Sequence, residues 1–379
     1  MTEIVSEYSS NSSSNKPNVH VLLGDITSRG GIERVSITLA NTLSALYHVR
    51  LVSLYVSQHD ISFKPADNVA VTVLHNEYEE SMYNRAKSLL AGMLFDINYL
   101  LKKRKTLKKV ALADENAVAI CCDVKMTLLA KMAGYKNIIA IEHFEYDVIN
   151  PILKKIRQLL YKKIDAVVTL TPEDKAKYSW MPGARHFIIP NIVEIPNDVV
   201  PFKQRANCVL GVGRLTYQKG FDLLLQAWSR IVTEGWTLRI VGDGPDREAL
   251  QSYIDANRLD NVEILPFKKN IADEYNQAKI FVLSSRYEGW GMVLVEALAF
   301  GMACISFDCP AGPKTILQSK NGILVKAEDV DCLAREIKRL LENETMQEQL
   351  SQKAPESIAE YGEKEILLKW QKVIEQVSK

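Results

Sequence analysis

Short, mostly apolar runs alternate with glycine-marked loops and helical stretches through the whole chain, in two sets split by a proline-bearing segment. The first set covers residues 19–23, 49–56, 69–74, 117–121, 138–141, 166–170 and 187–189. The second covers 208–212, 236–241, 262–265, 280–283 and 303–307. Runs of this length, rich in Val, Ile and Leu, suit strands covered on both faces, as in a parallel sheet. Strands that alternate with helices build α/β layers, and their ligands gather at the carboxyl ends of the strands. The pattern predicts two doubly wound α/β domains facing across a cleft. The expected divisions are a disordered tail over 1–17, a first domain over 18–190, a linker over 191–206, a second domain over 207–360 and a terminal helix over 361–379. That helix has an apolar stripe and needs a surface to pack on, which the first domain can offer.

Composition narrows the partners. A formal net charge of +1 gives no global attraction to nucleic acid. The six cysteines form no C-x-x-C pair, and four lie in or beside apolar runs, which suits a reducing compartment. No window approaches the roughly 18–20 apolar residues of a membrane-spanning helix. Residues 1–15 are rich in Ser and Asn, carry acids and lack an apolar core, unlike a signal or transit peptide.

The densest chemistry lies in residues 284–299. An apolar run leads into a glycine-bearing loop with Glu288, then into a helix that starts at Gly291 and carries Glu296. A helix start without a capping side chain offers free N–H groups and the positive end of the helix dipole, which suits phosphate. The stretch therefore reads as a site for the phosphates and sugar hydroxyls of one ligand. The plain alternative is an ordinary strand-to-helix turn with solvated glutamates.

Other loops after strands point the same way. Residues 24–31 end in Gly30-Gly31 and open a helix, although the dinucleotide fingerprint G-x-G-x-x-G is absent. The strand over 138–141 runs into the polar cluster 142–147, which holds His143. In the second domain, Arg214 and Lys219 flank one loop, and two fixed cations there would neutralise a diphosphate. Gly242-Asp243-Gly244-Pro245 and residues 308–313 form two more loops. Strand ends of one parallel sheet face one crevice, so these loops should meet. The one D-x-D, Asp329-Val330-Asp331, precedes a helical pattern and reads as a cap.

Taken together, Gly213-Arg214-Leu215 with Lys219-Gly220, Val241-Gly242-Asp243-Gly244-Pro245, the E-x7-E pair Glu288 and Glu296, and Ala299-Phe300-Gly301 resemble the donor domain of retaining glycosyltransferases of family 4. The run over 305–313 resembles members that build bacterial surface polysaccharides. The match is close over 207–341, and in the first half rests on Gly30-Gly31, the strand pattern and His143. One departure is Thr315, where many relatives carry glutamate.

The resemblance implies a GT-B fold of two Rossmann-like domains and no metal or other cofactor. It implies a sugar donor of UDP-hexose or UDP-N-acetylhexosamine type and a glycan acceptor, lipid-linked, in lipopolysaccharide, O-antigen, capsule or exopolysaccharide assembly. Arg214 and Lys219 would bind the diphosphate with the backbone of Gly291, Met292 and Val293 and the Gly242 turn. Glu296 would accept from ribose hydroxyls, Glu288 would hold the transferred sugar, and His143 would touch it. Gly30 and Gly31 would bring backbone N–H groups to the phosphate. Attack would come from the face the diphosphate leaves, and the leaving phosphate would take the acceptor proton. Glu288 as a covalent nucleophile is the competing version.

Two basic segments, residues 102–109 and 151–163, mix cations with apolar positions at helical spacing. Such helices dock on anionic membranes, at about 1 kcal/mol per cation. That reading predicts a cytoplasmic protein held peripherally on the inner face of the plasma membrane; the alternative is a solvated helix face. Two rival functions share the architecture: a sugar-nucleotide epimerase, and a non-catalytic nucleotide-sugar binding protein.

Overall fold

The computed structural model describes residues 16–28, 30–75, 89–143, 146, 151–317 and 321–378. Most of the predicted tail, the start of the helical pattern near residue 82 and part of the 142–147 cluster lie outside the described residues.

The first sheet holds seven parallel strands: β1 (Asn18–Asp25), β2 (His48–Tyr55), β3 (Ala70–Val73), β4 (Val118–Cys121), β5 (Asn137–Glu142), β6 (Ala166–Thr169) and β7 (His186–Ile188). Their spatial order is β3-β2-β1-β4-β5-β6-β7. The second sheet holds six: β8 (Ala206–Val212), β9 (Thr237–Val241), β10 (Val262–Leu265), β11 (Ala278–Leu283), β12 (Ala303–Asp308) and β13 (Gly322–Lys326). Their order is β10-β9-β8-β11-β12-β13. Both reverse direction of winding at their first strand, which opens a crevice at the strand ends. Strand β13 was not read from the sequence.

The first domain carries α1 (Gly31–Leu43), α2 (Leu89–Ala113), α3 (Val124–Ala133), α4 (Pro151–Tyr161) and α5 (Pro172–Lys177). The second carries α6 (Phe221–Trp228), α7 (Arg247–Ala256), α8 (Ala272–Gln277), α9 (Met292–Ala299), α10 (Pro313–Ile316), α11 (Val330–Leu341) and α12 (Glu344–Ser357). Local chemistry sets several starts. Asp123 accepts from Met126 N at 2.7 Å before α3, and Gly134 ends that helix at φ 98°. Thr171 caps α5 by accepting from Asp174 N at 3.0 Å, with Pro172 in the first turn.

The last helix, α13 (Glu363–Val377), contacts α1 and β5 of the first domain. Ile366, Trp370, Val373 and Ile374 are buried there. Thr42 of α1 donates to Glu363 at 3.0 Å, and Val193 N of the linker donates to Tyr361 O at 3.0 Å. One apolar cluster therefore runs from β1 and α1 through α13 to Trp290 and α9. Each fully buried Val, Leu or Ile in it contributes about 1.5–3 kcal/mol.

The basic segments are less exposed than their sequence implies. Lys103 and Leu107 of α2 are buried, while Lys102, Arg104, Lys105, Lys108 and Lys109 face outward. In α4, Arg157 is fully buried: Nη1 lies 3.2 Å from Glu142, and the guanidinium sits over Tyr146 at 4.1 Å. Tyr161 also donates to Glu142. All six cysteines are free, five of them buried. No helix among the described residues is long and apolar enough to cross a membrane.

Candidate functional site

The loop after β8 is held on the loop after β9 by backbone bonds. Leu215 N donates to Asp243 O at 2.9 Å, and Asp246 N donates to Leu215 O at 3.1 Å. The Gly242–Pro245 turn thus supports the segment that presents Arg214, whose side chain stays exposed. The segment ends at Gly220, at φ 61°, where a Cβ would lie 2.0 Å from Ser284 O. Only glycine lets the Lys219 loop approach the end of β11 this closely.

That approach pairs two of the residues singled out from sequence. Lys219 Nζ donates to Glu288 Oε1 at 2.7 Å, and Ser285 Oγ donates to the same oxygen at 2.6 Å. Glu288 is buried, 6% exposed, so this carboxylate has exchanged water for a fixed cation and a hydroxyl. Further bonds lock the two loops. Arg286 N donates to Gln218 O at 2.8 Å, Gln218 Nε2 to Tyr287 O at 3.1 Å, and Ser284 Oγ to Lys219 O at 3.0 Å.

Gly291 starts α9 at φ 92°, a conformation that disfavours a side chain, and no side chain caps the helix. Met292 and Val293 in its first turn are half-buried. The amides of this turn face the crevice end of the sheet, where an anion is stabilised. Glu296 follows one turn later, buried at 6% exposure. Tyr275 OH donates to its Oε2 at 2.9 Å. Arg34 of α1 brings Nη1 within 2.8 Å of its Oε1 from across the cleft. Burial raises the Glu296 pKa, and the Arg34 charge opposes that rise. At the far end of α9, Arg205 donates to Phe300 O at 2.6 Å, and this cation closes the negative end of the helix. Burial lowers the Arg205 pKa to about 10.

The first domain contributes the start of α1. Gly30 precedes it with no side-chain cap, and Gly31 is exposed. The Glu33 carboxylate folds back over this start: a Cβ on Gly30 would lie 2.2 Å from Glu33 Oε2. Burial raises the Glu33 pKa to about 7, with the charges of Asp25 and Asp123 adding to the rise and Arg214 opposing it. Asp25 itself is tied down, accepting from Thr27 N at 2.9 Å. Glu33 thus covers Gly30, and the charge of Arg214 acts on it from the other side of the cleft.

His143 directly follows β5, half-buried, beside Ser36 of α1, Asn191 of the linker and Trp370 of α13. Burial lowers its pKa to about 4, so the ring is neutral near pH 7, and Nε2 has no hydrogen-bond partner among the described residues. The structure brings Lys219 to Glu288 and Arg34 to Glu296. It brings His143 into direct contact with neither carboxylate. Preceding it, Glu142 is anchored by Arg157 and Tyr161, which fixes the strand end.

Three residues were missed in the sequence: Glu33, Arg34 and Tyr275. The first two read as ordinary charges of a helix's first turn, and their partners lie in the other domain. Tyr275 precedes β11 by a few residues, and nothing in its local pattern marks it. Asp329 caps α11, accepting from Cys332 N at 2.9 Å, and Asp331 pairs with Arg230. Among the described residues, no group of three or more His, Cys, Asp or Glu side chains is placed to hold a metal ion. Chemically, the site offers two carboxylates for hydroxyls, two cations for phosphate, and an amide-lined helix start between them.

Known proteins share the length and the fold of this chain. The chain is 29% identical over 371 residues to an amylovoran biosynthesis glycosyltransferase of Erwinia amylovora, covering 93% of this chain and 98% of that one. It is 26% identical over 356 residues to an α-1,4-N-acetyl-D-galactosaminyltransferase of Campylobacter jejuni named for a PP-undecaprenol-linked glycan, covering 92% and 96%. TarM of S. aureus, solved with fondaparinux, α-GlcNAc-glycerol and UDP, superposes with a TM-score of 0.76 at 16% identity, covering 94% of this chain and 99% of that one. That likeness fixes the fold as GT-B. Residues 196–357, which carry Arg214, Lys219, Glu288 and Glu296, match the family model of the glycosyl transferases group 1.

Proposed function

We propose that the protein is a retaining glycosyltransferase of family 4 that moves a hexose or N-acetylhexosamine from a UDP-sugar to a hydroxyl of a lipid-linked glycan. The observation that carries this reading is the Lys219–Glu288 contact of 2.7 Å, in the loop three residues before Gly291, where α9 starts. It puts a cation for the leaving diphosphate beside a carboxylate for the sugar. Full-length similarity to polysaccharide-building glycosyltransferases supports the same class. UDP as the nucleotide draws support from its presence in the TarM complex.

In this reading, Arg214 and Lys219 stabilise the charge that builds on the diphosphate as the bond from anomeric carbon to phosphate oxygen breaks. The acceptor oxygen bonds to that carbon on the same face, and its proton passes to the leaving β-phosphate. Glu288 orients the sugar hydroxyls, and neutral His143 donates or accepts one hydrogen bond at the sugar. Glu296 takes the ribose diol. Gly30, Gly31, Gly242, Met292 and Val293 supply backbone around the phosphates. No step calls for a metal.

The acceptor side is proposed to meet an anionic membrane. Helices α2 and α4 pack into one apolar cluster through Leu107, Ala111, Leu160 and Tyr161, so they belong to one layer. Exposed Lys102, Arg104, Lys105, Lys155, Lys162 and Lys163 lie on that layer with exposed Leu101, Leu112 and Leu159. Such a mixture suits the interface of a lipid leaflet.

The test is transfer from a panel of labelled nucleotide sugars, with and without lipid-diphosphate glycan acceptors. The expected result is acceptor-dependent product with the anomeric configuration kept. Isomerised donor without acceptor would indicate an epimerase, and binding without turnover a non-catalytic protein. Liposome flotation at low salt tests the membrane contact, and protein left wholly in solution would reject it.

A further inference from the structure

Glu296 is shared between the two domains. Tyr275, from its own domain, donates to Oε2 at 2.9 Å. Arg34, from α1 of the opposite domain, places Nη1 at 2.8 Å from Oε1. The second contact is an ion pair, and among the described residues no donor meets Oε1 with the alignment of a good hydrogen bond. A buried carboxylate oxygen without an aligned donor is costly, and a better-placed donor would be favoured there.

A ribose diol binds a carboxylate through both of its oxygens, and one edge of Glu296 is covered by Arg34. The Arg34 side chain is 35% exposed, so it has room to move, and Glu194 of the linker is a second acid within its electrostatic reach. We propose that Arg34 is an interdomain positioning residue: it latches the two domains together through Glu296 and gives up that carboxylate to the ribose of the donor nucleotide. Nucleotide binding is then coupled to cleft geometry, because the ligand that takes Glu296 releases a bond between the domains. This proposal rests on the reading that Glu296 binds ribose, and its test separates the two.

The coupling has a defined cost. A ligand that must displace a competing contact binds more weakly by the fraction of molecules in which that contact is closed. Removing Arg34 should therefore strengthen the contribution of the ribose hydroxyls and leave the rest of the nucleotide little changed. A ribose-selective gain is something a purely structural arginine would not give.

Dissociation constants of UDP and 2′-deoxy-UDP would be measured by calorimetry for the wild type, Arg34→Met, Arg34→Lys and Glu296→Gln. Alkaline buffer is used because burial raises the Glu296 pKa, and higher pH favours its ionised form. The wild type should prefer UDP, and Glu296→Gln should lose that preference. Arg34→Met should raise the preference roughly three- to tenfold, with Arg34→Lys between, because lysine keeps the charge and lacks the fork. Small-angle scattering without nucleotide should show a larger radius of gyration for Arg34→Met. If Glu296→Gln loses the preference while Arg34→Met leaves it unchanged or weakens both nucleotides equally, the latch is wrong and the ribose assignment stands. If Glu296→Gln keeps the preference, or wild type fails to bind UDP, the ribose assignment falls and takes the latch with it. Thermal melts identify a variant that has lost its fold, in which case Arg34→Lys alone decides by the same ratio.

Discussion

Arg286 lies over the ring of Tyr217, with its guanidinium carbon 3.9 Å from the centroid. From there it ties the loop that carries Lys219 to the loop that carries Glu288. Nη1 and Nη2 donate to the two oxygens of Asp222 at 2.9 and 2.7 Å, and Nη1 also reaches Tyr217 O at 2.7 Å. These contacts use the planar fork of arginine, and Arg286 itself touches neither Glu288 nor Lys219. Its effect on chemistry passes through where it holds those two side chains.

Arg286→Lys should therefore lower kcat by about ten- to a hundredfold while changing nucleotide affinity little, since a misplacement near 1 Å can cost this much. Steady-state kinetics beside UDP calorimetry would check it. Equal losses in kcat and nucleotide affinity would show that the clamp serves binding instead.

Lys219 and Glu288 act as a unit in the proposed reaction. Glu288→Gln and Lys219→Met should each reduce kcat/KM by about a hundredfold or more. The double variant should lose far less than the product of the two, because each single change leaves a buried charge without its partner. A double-mutant cycle on kcat/KM measures this, and simple additivity would mean that the 2.7 Å contact does not persist during turnover.

The alternation of strands and helices was plain in the sequence because the strands are short apolar runs, and those of β1, β8, β9 and β11 lead into loops that carry glycine. Arg214, Lys219, Glu288 and Glu296 stood out in the sequence for a related reason: they lie at short offsets from strand ends, so local spacing carries their position. Strand β13, Gly322–Lys326, was missed because it opens on glycine, closes on an exposed lysine and is mostly half-buried between, so it lacks the continuous apolar run of the strands that were read. Glu33 and Arg34 were missed because their roles depend on contacts across the cleft, which no local period reports. Arg157 looked like part of a cationic face, and helical spacing alone could not show that it points inward to Glu142. His143 was found by position, and its neutral state required its burial to be seen.

Glu33 gives a pH-dependent stability effect of known sign. Its pKa in the folded protein is about 7, against an ordinary 4.5. Folding therefore takes up a proton between those values. The stabilising contribution is complete below about pH 4.5 and is lost as pH rises through 7. Glu33→Gln should raise the melting temperature at pH 8 and leave it unchanged near pH 4.5. The half-buried position holds the gain to about 1 kcal/mol. Melting curves at the two pH values check it, and a gain of equal size at both would remove titration of Glu33 as the cause.

The buried Arg157 separates fold from membrane within α4. Arg157 bonds Glu142 at 3.2 Å and stacks on Tyr146, while Lys155, Lys162 and Lys163 face solvent. Removing one partner of a buried ion pair strands the other charge, at about 3–5 kcal/mol. Arg157→Leu should thus lower the melting temperature strongly, and Glu142→Gln in the same chain should recover part of that loss by removing the stranded carboxylate. The triple change of Lys155, Lys162 and Lys163 to Gln should leave the unfolding free energy within about 1 kcal/mol of wild type, as exposed charges contribute little. If α4 meets an anionic surface, the same triple variant should lose liposome flotation by about 1 kcal/mol per charge, or roughly a hundredfold in partitioning. Unchanged flotation would move the membrane contact away from α4, and a large stability loss would show that these lysines, like Arg157, belong to the fold.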